Sequence, residues 1–391
     1  MGTCLSSAKP KLRIMFFESG EYGGSVKSLV GMVLCLQKCG CEVSIFSHYR
    51  RTGPEDISSL DCVREKYCLD RPAGVRPRRE TIRRTWGIPY LSWFGVEHLY
   101  AALRALYRSR PQVVYLNNGL REHLPAIVAA RILGIPIICH LRGTWRFSPA
   151  EKLSIPHVRR FVALTRYGQQ FFHEQGIPMD KLSQTHNPFD VLSFDARLRE
   201  QSDVSLPADG SIYVVQVGTL REHKGPEIAV EALSHARKEC PQIKLVLAGD
   251  GPMRDALEQK VREHRLSQSV LFAGQCHSVP ALLVRCHIGL LLSRGEGQPN
   301  CVMEYMAARL PVIARAIPGI EELVVDGHNG VIVAEASPEA CACAMVTLCR
   351  SPALRLKMGH AGRQVVTGEQ FDPKTHGRQI RNLVTAVAQR T

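Results

Sequence analysis

Short, uninterrupted apolar runs separated by helix-compatible or loop sequence set the rhythm of this chain. LRIMFF (12–17), EVSIFS (42–47), VVYLNN (113–118), PIICHL (136–141) and FVALT (161–165) form a first series. Runs of this length without alternation predict strands covered on both faces, as in a parallel sheet. A polar interval from Asn187 to Gly210, with two prolines and little apolar periodicity, marks a domain boundary. A second series follows: SIYVVQVG (211–218), IKLVLAG (243–249), SVLFAG (269–274), IGLLLS (288–293), PVIAR (311–315) and GVIVA (330–334). Between its first two runs, PEIAVEALSHARKE places Ile228, Ala229, Ala232, Leu233 and Ala236 on one helical face, which makes a strand–helix–strand unit. Two such series predict an α/β chain of two doubly wound parallel-sheet domains, 1–190 and 191–370. Ligands of such sheets bind beyond the carboxyl ends of the strands.

The segment SRGEGQPNCVMEYMAARLPV (293–312) falls at such an end. A strand delivers Glu296 into a Gly-flanked loop, Pro299 suits the first turn of a helix, and Glu304 sits a little over one turn inside. Free N–H groups at a helix start attract an anion such as a diphosphate, and carboxylates on either side accept hydrogen bonds from sugar hydroxyls. The combination describes a nucleotide-sugar site, although the same spacing also arises by chance.

Other strand ends add candidates. In GTLREHKGPE, Gly218 allows a tight exit from its strand, and Lys224 stands near a helix start opened by Pro226, as a phosphate contact or as an ordinary surface lysine. Arg221 is a second cation in the same loop. After the first strand, ESGEYGGSVKSL offers Gly23 and Gly24 for close approach of backbone amides to a phosphate or sugar. The Gly-Asp-Gly of LAGDGP (247–252) reads as a turn. His140, at the end of PIICHL, serves either packing or a ligand.

Composition narrows the class. No uncharged apolar stretch reaches the ~18 residues a membrane-spanning helix needs, and a soluble cytoplasmic protein is expected. The first residues match a myristoylation pattern (Gly2, Ser6, with Cys4 nearby), but so short a pattern is cheap and a disordered leader is the expected reading. The 14 cysteines include no Cys-x-x-Cys pair and read as reduced, mostly buried thiols rather than a metal cluster. Net charge is +14, and residues 71–110 hold nine arginines against Glu80 and Glu97, so half the excess is concentrated there. Trp86, Tyr90, Trp93, Phe94, Tyr100 and Tyr107 are interleaved with them, which suits an anionic membrane surface or a solvated loop followed by an amphipathic helix. No helix-turn-helix, zinc-finger or RNA-binding signature accompanies the charge, so nucleic acid is not an expected partner.

GTLREHKG, LAGDGP, SRGEGQPNCVMEYMAARLPV and IPGIEELVVDGHNG, in this order and spacing, resemble the C-terminal half of retaining glycosyltransferases of family 4 (glycosyltransferase group 1, GT-B fold). GEYGGSVKSL, PIICHLRG, FVALTRYGQQFFHEQGIPMDKL and HNPFD (Asn187, Asp190) resemble the N-terminal half. The resemblance implies two Rossmann-like domains facing a cleft, with 371–391 returning as a helix to the N-terminal domain. It implies that Lys224 and the amides around Gln298, Pro299, Asn300 and Cys301 hold the diphosphate. Glu304 would take the ribose, Glu296 the transferred sugar, and His140 that sugar from the N-terminal wall, with the base near Gly274 to Cys276. Many members carry arginine where this chain has Thr219, which leaves Arg221 as a substitute cation. No Asp-x-Asp occurs, so no metal and no other cofactor is expected, and Lys224, Arg221 and the helix start absorb the leaving-group charge. The implied activity is transfer of a sugar from a nucleotide-diphosphate sugar, with retention, to a glycan or lipid-linked acceptor in cell-surface polysaccharide or lipopolysaccharide synthesis, at the inner face of the membrane. Alternatives are a nucleotide-sugar epimerase on the same fold and a non-catalytic membrane-binding module.

Overall fold

The structure, a computed structural model, describes residues 11–18, 24–47, 63, 65–68, 93–335 and 337–389. The chain divides into two compact units, 1–188 with 373–391 and 189–372. The first passage between units thus falls two residues before the expected point, and the return two residues after it.

Unit 1 is built on strands β1 (Arg13–Glu18), β2 (Glu42–Ser47), β3 (Glu65–Cys68), β4 (Val113–Asn117), β5 (Ile137–Leu141), β6 (Arg160–Ala163) and β7 (Leu182–Gln184). They form one parallel sheet in the order β3-β2-β1-β4-β5-β6-β7. Successive residues of β1 feed opposite faces: Met15 and Phe17 join the core that contains Leu106 and Ile127, and Ile14 and Phe16 join the one that contains Leu29 and Val33. That double burial is why these strands read as unbroken apolar runs. Helices α1 (Gly24–Lys38), α2 (Trp93–Ser109), α3 (Leu124–Ile132), α4 (Pro149–Ser154) and α5 (Arg166–Glu174) cover the faces. Ser148 opens α4 with a capping box to Glu151, and the Thr165 hydroxyl caps α5 by accepting from the Gly168 N–H. The C-terminal helix Pro373–Ala388 lays Ile380, Val384 and Val387 into the α1 face, and Gly377 lets it approach Cys35 closely.

Unit 2 carries β8 (Ile212–Val217), β9 (Ile243–Ala248), β10 (Val270–Gly274), β11 (Ile288–Leu291), β12 (Val312–Arg315) and β13 (Gly330–Val333). All pairs are parallel, in the order β10-β9-β8-β11-β12-β13. Helices α6 (Val191–Arg197), α7 (Pro226–Ala236), α8 (Arg254–Glu263), α9 (Val279–Leu283), α10 (Asn300–Ala307), α11 (Pro338–Arg350) and α12 (Pro352–Val366) complete it. The polar interval after Asn187 is not a plain linker. Asp190 caps α6 by accepting from Ser193 N, and Asp195 on that helix pairs with Arg363 of α12 at 2.5 Å. Pro299 precedes α10 at its cap rather than standing in the first turn.

Each sheet reverses its strand order once, between β1 and β4 in unit 1 and between β8 and β11 in unit 2. At such a switch point the loops leaving the two central strands run in opposite directions and open a crevice at the carboxyl edge.

Candidate active site

The unit 2 switch point brings together the two sequence segments of greatest interest. After β8, Gly218 turns with φ +148°, and the chain makes a 3-10 turn at Glu222–Lys224. Gly225 follows with φ +65°, and a Cβ there would stand 2.8 Å from the Leu292 carbonyl oxygen. Only glycine allows this loop to lie so closely on the exit of β11. Arg294 N then donates to the His223 carbonyl at 2.8 Å, and Gln216 Nε2 donates to the Lys224 carbonyl at 2.7 Å. The result is an ion pair between Lys224 Nζ and Glu296 Oε1, both side chains largely shielded from solvent. Burial works against the charge on Lys224, but the Glu296 carboxylate outweighs it and raises the ammonium above its ordinary range.

Helix α10 supplies the rest. Asn300 opens it and is half-buried, as are Cys301 and Glu304, while Gln298 just before it is buried with its amide nitrogen 3.3 Å from Met303 Sδ. Burial and the charge of Glu296 push the Cys301 thiol up to about 12, so it stays protonated despite the neighbouring Lys224. The orphan N–H groups at the start of α10, with Lys224 alongside, make a site that favours an anion. Arg221 is exposed and forms no ion pair among the described residues, and the Thr219 side chain is exposed as well.

The Gly-Asp-Gly turn after β9 proves to be a brace for the Lys224 loop. A Cβ at Gly249 would lie 2.0 Å from the Gly218 carbonyl oxygen, and one at Gly251 2.5 Å from that of Leu220. Leu220 N donates to the Asp250 carbonyl, and Met253 N to the Leu220 carbonyl. Two glycines around one aspartate carry that signal in the sequence, but turn chemistry alone cannot say which loop they meet. Gly274 ends β10 with φ +66° and bridges to Gly249, and the Cys276 thiol lies 3.7 Å from the Gly274 carbonyl.

In unit 1, His140 is the penultimate residue of β5 and is fully buried. Its Nδ1 lies 3.0 Å from the Tyr115 hydroxyl, and Nε2 has no hydrogen-bond partner among the described residues. Burial, with Arg142 and His376 adding to it, holds the imidazole well below its usual value and hence neutral. Beside it runs a network that sequence reasoning missed. Asn117 and Asn118 Nδ2 donate to Glu18, and Arg142 donates from Nε to Asn117 Oδ1 at 2.5 Å and from Nη1 to Asn187 Oδ1 at 2.7 Å. Single polar residues at strand ends have no periodic signature that would have found it. Of the other expected site residues, Gly24 is the first residue of α1, and Gly23 lies outside the described residues, as do Gly2, Cys4, Ser6 and the basic stretch 71–92. Among the described residues no group of three or more His, Cys, Asp or Glu is placed to hold a metal ion, and no helix is long and apolar enough to cross a membrane.

Two doubly wound units with paired acid and base at a switch point define a class, and comparison with known proteins identifies it. The model for "Glycosyl transferases group 1" matches residues 199–365, and that for "Glycosyl transferase 4-like domain" matches residues 23–188. The chain belongs to the group 1 glycosyltransferases, with the two-domain α/β GT-B fold, and is a glycosyl-transferring enzyme. It is 27% identical over 293 residues to a glycogen synthase of Mycobacterium tuberculosis, covering 72% of this chain and 68% of that one. A lipopolysaccharide core biosynthesis glycosyltransferase, LpsE of Rhizobium meliloti, is 26% identical over 170 residues, 44% of this chain and 48% of that one. The crystal structure of Anabaena HepE in complex with UDP-glucose superposes with a TM-score of 0.77 at 18% identity, covering 96% of this chain and all of that one.

Proposed function

We propose that this enzyme transfers a sugar from a nucleoside-diphosphate sugar to a hydroxyl of a glycan or lipid-linked acceptor, with retention of anomeric configuration, in the assembly of a surface polysaccharide or lipopolysaccharide. The observation that carries the donor assignment is the Lys224–Glu296 pair at the β8/β11 switch point, beside the start of α10. A donor diphosphate would take the Lys224 ammonium and the N–H groups around Gln298–Cys301. That frees Glu296 to accept hydrogen bonds from the sugar, while Glu304 accepts from the ribose. The UDP-glucose bound by Anabaena HepE supports a donor of this kind.

In the reaction the bond from anomeric carbon to diphosphate oxygen breaks as the bond to the acceptor oxygen forms on the same face. The acceptor's proton passes to the departing diphosphate. Negative charge grows on that diphosphate, and Lys224, the α10 amides and Arg221 as a substitute cation would take it up, the work a divalent cation does in other enzymes. Gly218 keeps the loop open beside the diphosphate, and the backbone from Gly274 to Cys276 would flank the base. Neutral His140 has one ring nitrogen to offer a sugar hydroxyl, and reaching it requires the buried ring to be uncovered.

The lipid side of the acceptor reading is supported by α2, whose solvent side presents Val96, Tyr100 and Tyr107, each more than half exposed, with exposed Arg104 between the two tyrosines and exposed Arg108 following them. Sedimentation with vesicles containing phosphatidylglycerol should carry the protein down, and exchanging Arg104 and Arg108 for glutamate should reduce that several-fold. No difference would remove α2 from a membrane role. The donor reading is tested by a thermal-shift screen against UDP, GDP, ADP, TDP and CMP: one diphosphate should raise the midpoint selectively, by mass action. No shift with any of them would overturn it.

A further inference from the structure

The two central strands of unit 2 are held apart by a side chain. β8 and β11 pair only at Ile288↔Val214 and Gly289↔Val215. In that register the next rung of a parallel ladder would run from the Val217 N–H to the Leu290 carbonyl. The Tyr305 hydroxyl stands between these two groups, accepting from Val217 N at 2.7 Å and donating to Leu290 O at 3.4 Å. Both backbone groups therefore keep a partner, but through an inserted oxygen, so the strands part where a ligand would enter. The ring is fully buried, and it fits because residue 289 is glycine: a Cβ there would lie 2.4 Å from Tyr305 Cγ.

The hydroxyl joins the three pieces of the proposed donor site. Tyr305 follows Glu304 directly in α10, Val217 immediately precedes the Gly218 turn whose loop carries Lys224, and Leu290 lies in the strand that leads to Glu296. We propose that Tyr305 is a positioning residue of the donor site, its hydroxyl spliced into the β8–β11 ladder to fix the separation of the Lys224 loop from Glu296 and Glu304. The proposal rests on the nucleotide-sugar reading above. It assigns to a core tyrosine a geometric task that volume-filling alone does not require, since the ring packs on Gly289 without help from its hydroxyl.

Tyr305→Phe keeps the ring and removes the inserted oxygen. The freed rung must then close, which shifts the Lys224 loop relative to α10, or stay broken, which leaves that loop without its tether to α10. Calorimetric titration with UDP, GDP and ADP, at a temperature where both proteins are folded, should show the Kd of whichever nucleotide binds the wild type rising by about fivefold or more. Ile243→Val, in the same sheet but away from the switch point, lowers stability without touching this link and should leave Kd within about twofold. If Tyr305→Phe only lowers the melting temperature and its Kd stays within about twofold of wild type, Tyr305 is packing and the proposal falls. Should that variant not fold, amide hydrogen exchange on the wild type decides. Saturating nucleotide should slow exchange at Val217, and an unchanged rate there overturns the proposal. A wild type that binds none of the three nucleotides takes down the donor reading itself, and this inference with it.

Discussion

In the free protein Lys224 and Glu296 neutralise each other, so an incoming diphosphate must compete with a carboxylate for the ammonium. This exchange gives Glu296→Gln an unusual expected signature. Removing the carboxylate's charge frees Lys224, so the bare nucleoside diphosphate should bind about three- to tenfold more tightly, while turnover falls by about a hundredfold for want of the acid that grips the sugar. Calorimetry and steady-state rates on the same preparation separate the two effects, and a variant with unchanged turnover contradicts the role of Glu296. The sequence pointed to both residues because each stands where a strand run ends and a helical pattern begins. That they meet was not legible, since the contact depends on Gly225 lying against Leu292 across a gap of more than sixty positions.

Elements differ in how clearly their residues announce them. The long apolar strands were readable because both their faces are buried, whereas β3 (Glu-Lys-Tyr-Cys) and β7 (Leu-Ser-Gln) are short sheet edges with polar side chains and no run to detect. Helix α6 was hidden for a related reason. Phe194 is its only buried residue, so it has no apolar stripe, and it is fixed by the Asp190 cap and the Asp195–Arg363 pair instead. The Gly-Asp-Gly turn was visible, but its partner was not, because a turn's composition says nothing of the loop it packs on. Its bracing role can be measured. Gly249→Ala places a methyl against the Gly218 carbonyl at φ +151°, and should cost about 2 kcal/mol or more in urea unfolding and weaken nucleotide binding together. A variant of wild-type stability and affinity would show that the turn only closes the chain.

For the molecule as a whole, the two repeated strand series made the pair of doubly wound units legible, and the Lys-Gly loop with its two downstream glutamates made the family legible. The buried polar chemistry of unit 1 stayed invisible, since His123, His140 and His376 carry no pattern that separates them from surface histidines. All three are fully or almost fully buried there, and burial lowers each below its ordinary value, His376 to about 3. The sign follows from proton uptake. Below about pH 6.5 the unfolded chain binds protons that the buried rings refuse, His376 doing so down to about pH 3, so stability is full above about pH 6.5 and declines as pH falls below it, by up to about 1.4 kcal/mol per pH unit for each group. Trp86, Trp93 and Trp145 all belong to unit 1, so tryptophan fluorescence should report a melting temperature that falls between pH 7 and pH 5, less steeply in His376→Gln. A flat profile would mean these rings gain their protons inside the folded unit. Calorimetric titration of wild type and Lys224→Ala with the best-binding nucleoside diphosphate measures whether the β8/β11 switch point holds a diphosphate through Lys224: affinity should fall at least about tenfold in a variant that remains folded, and equal affinity in the two proteins would remove Lys224 from the phosphate site.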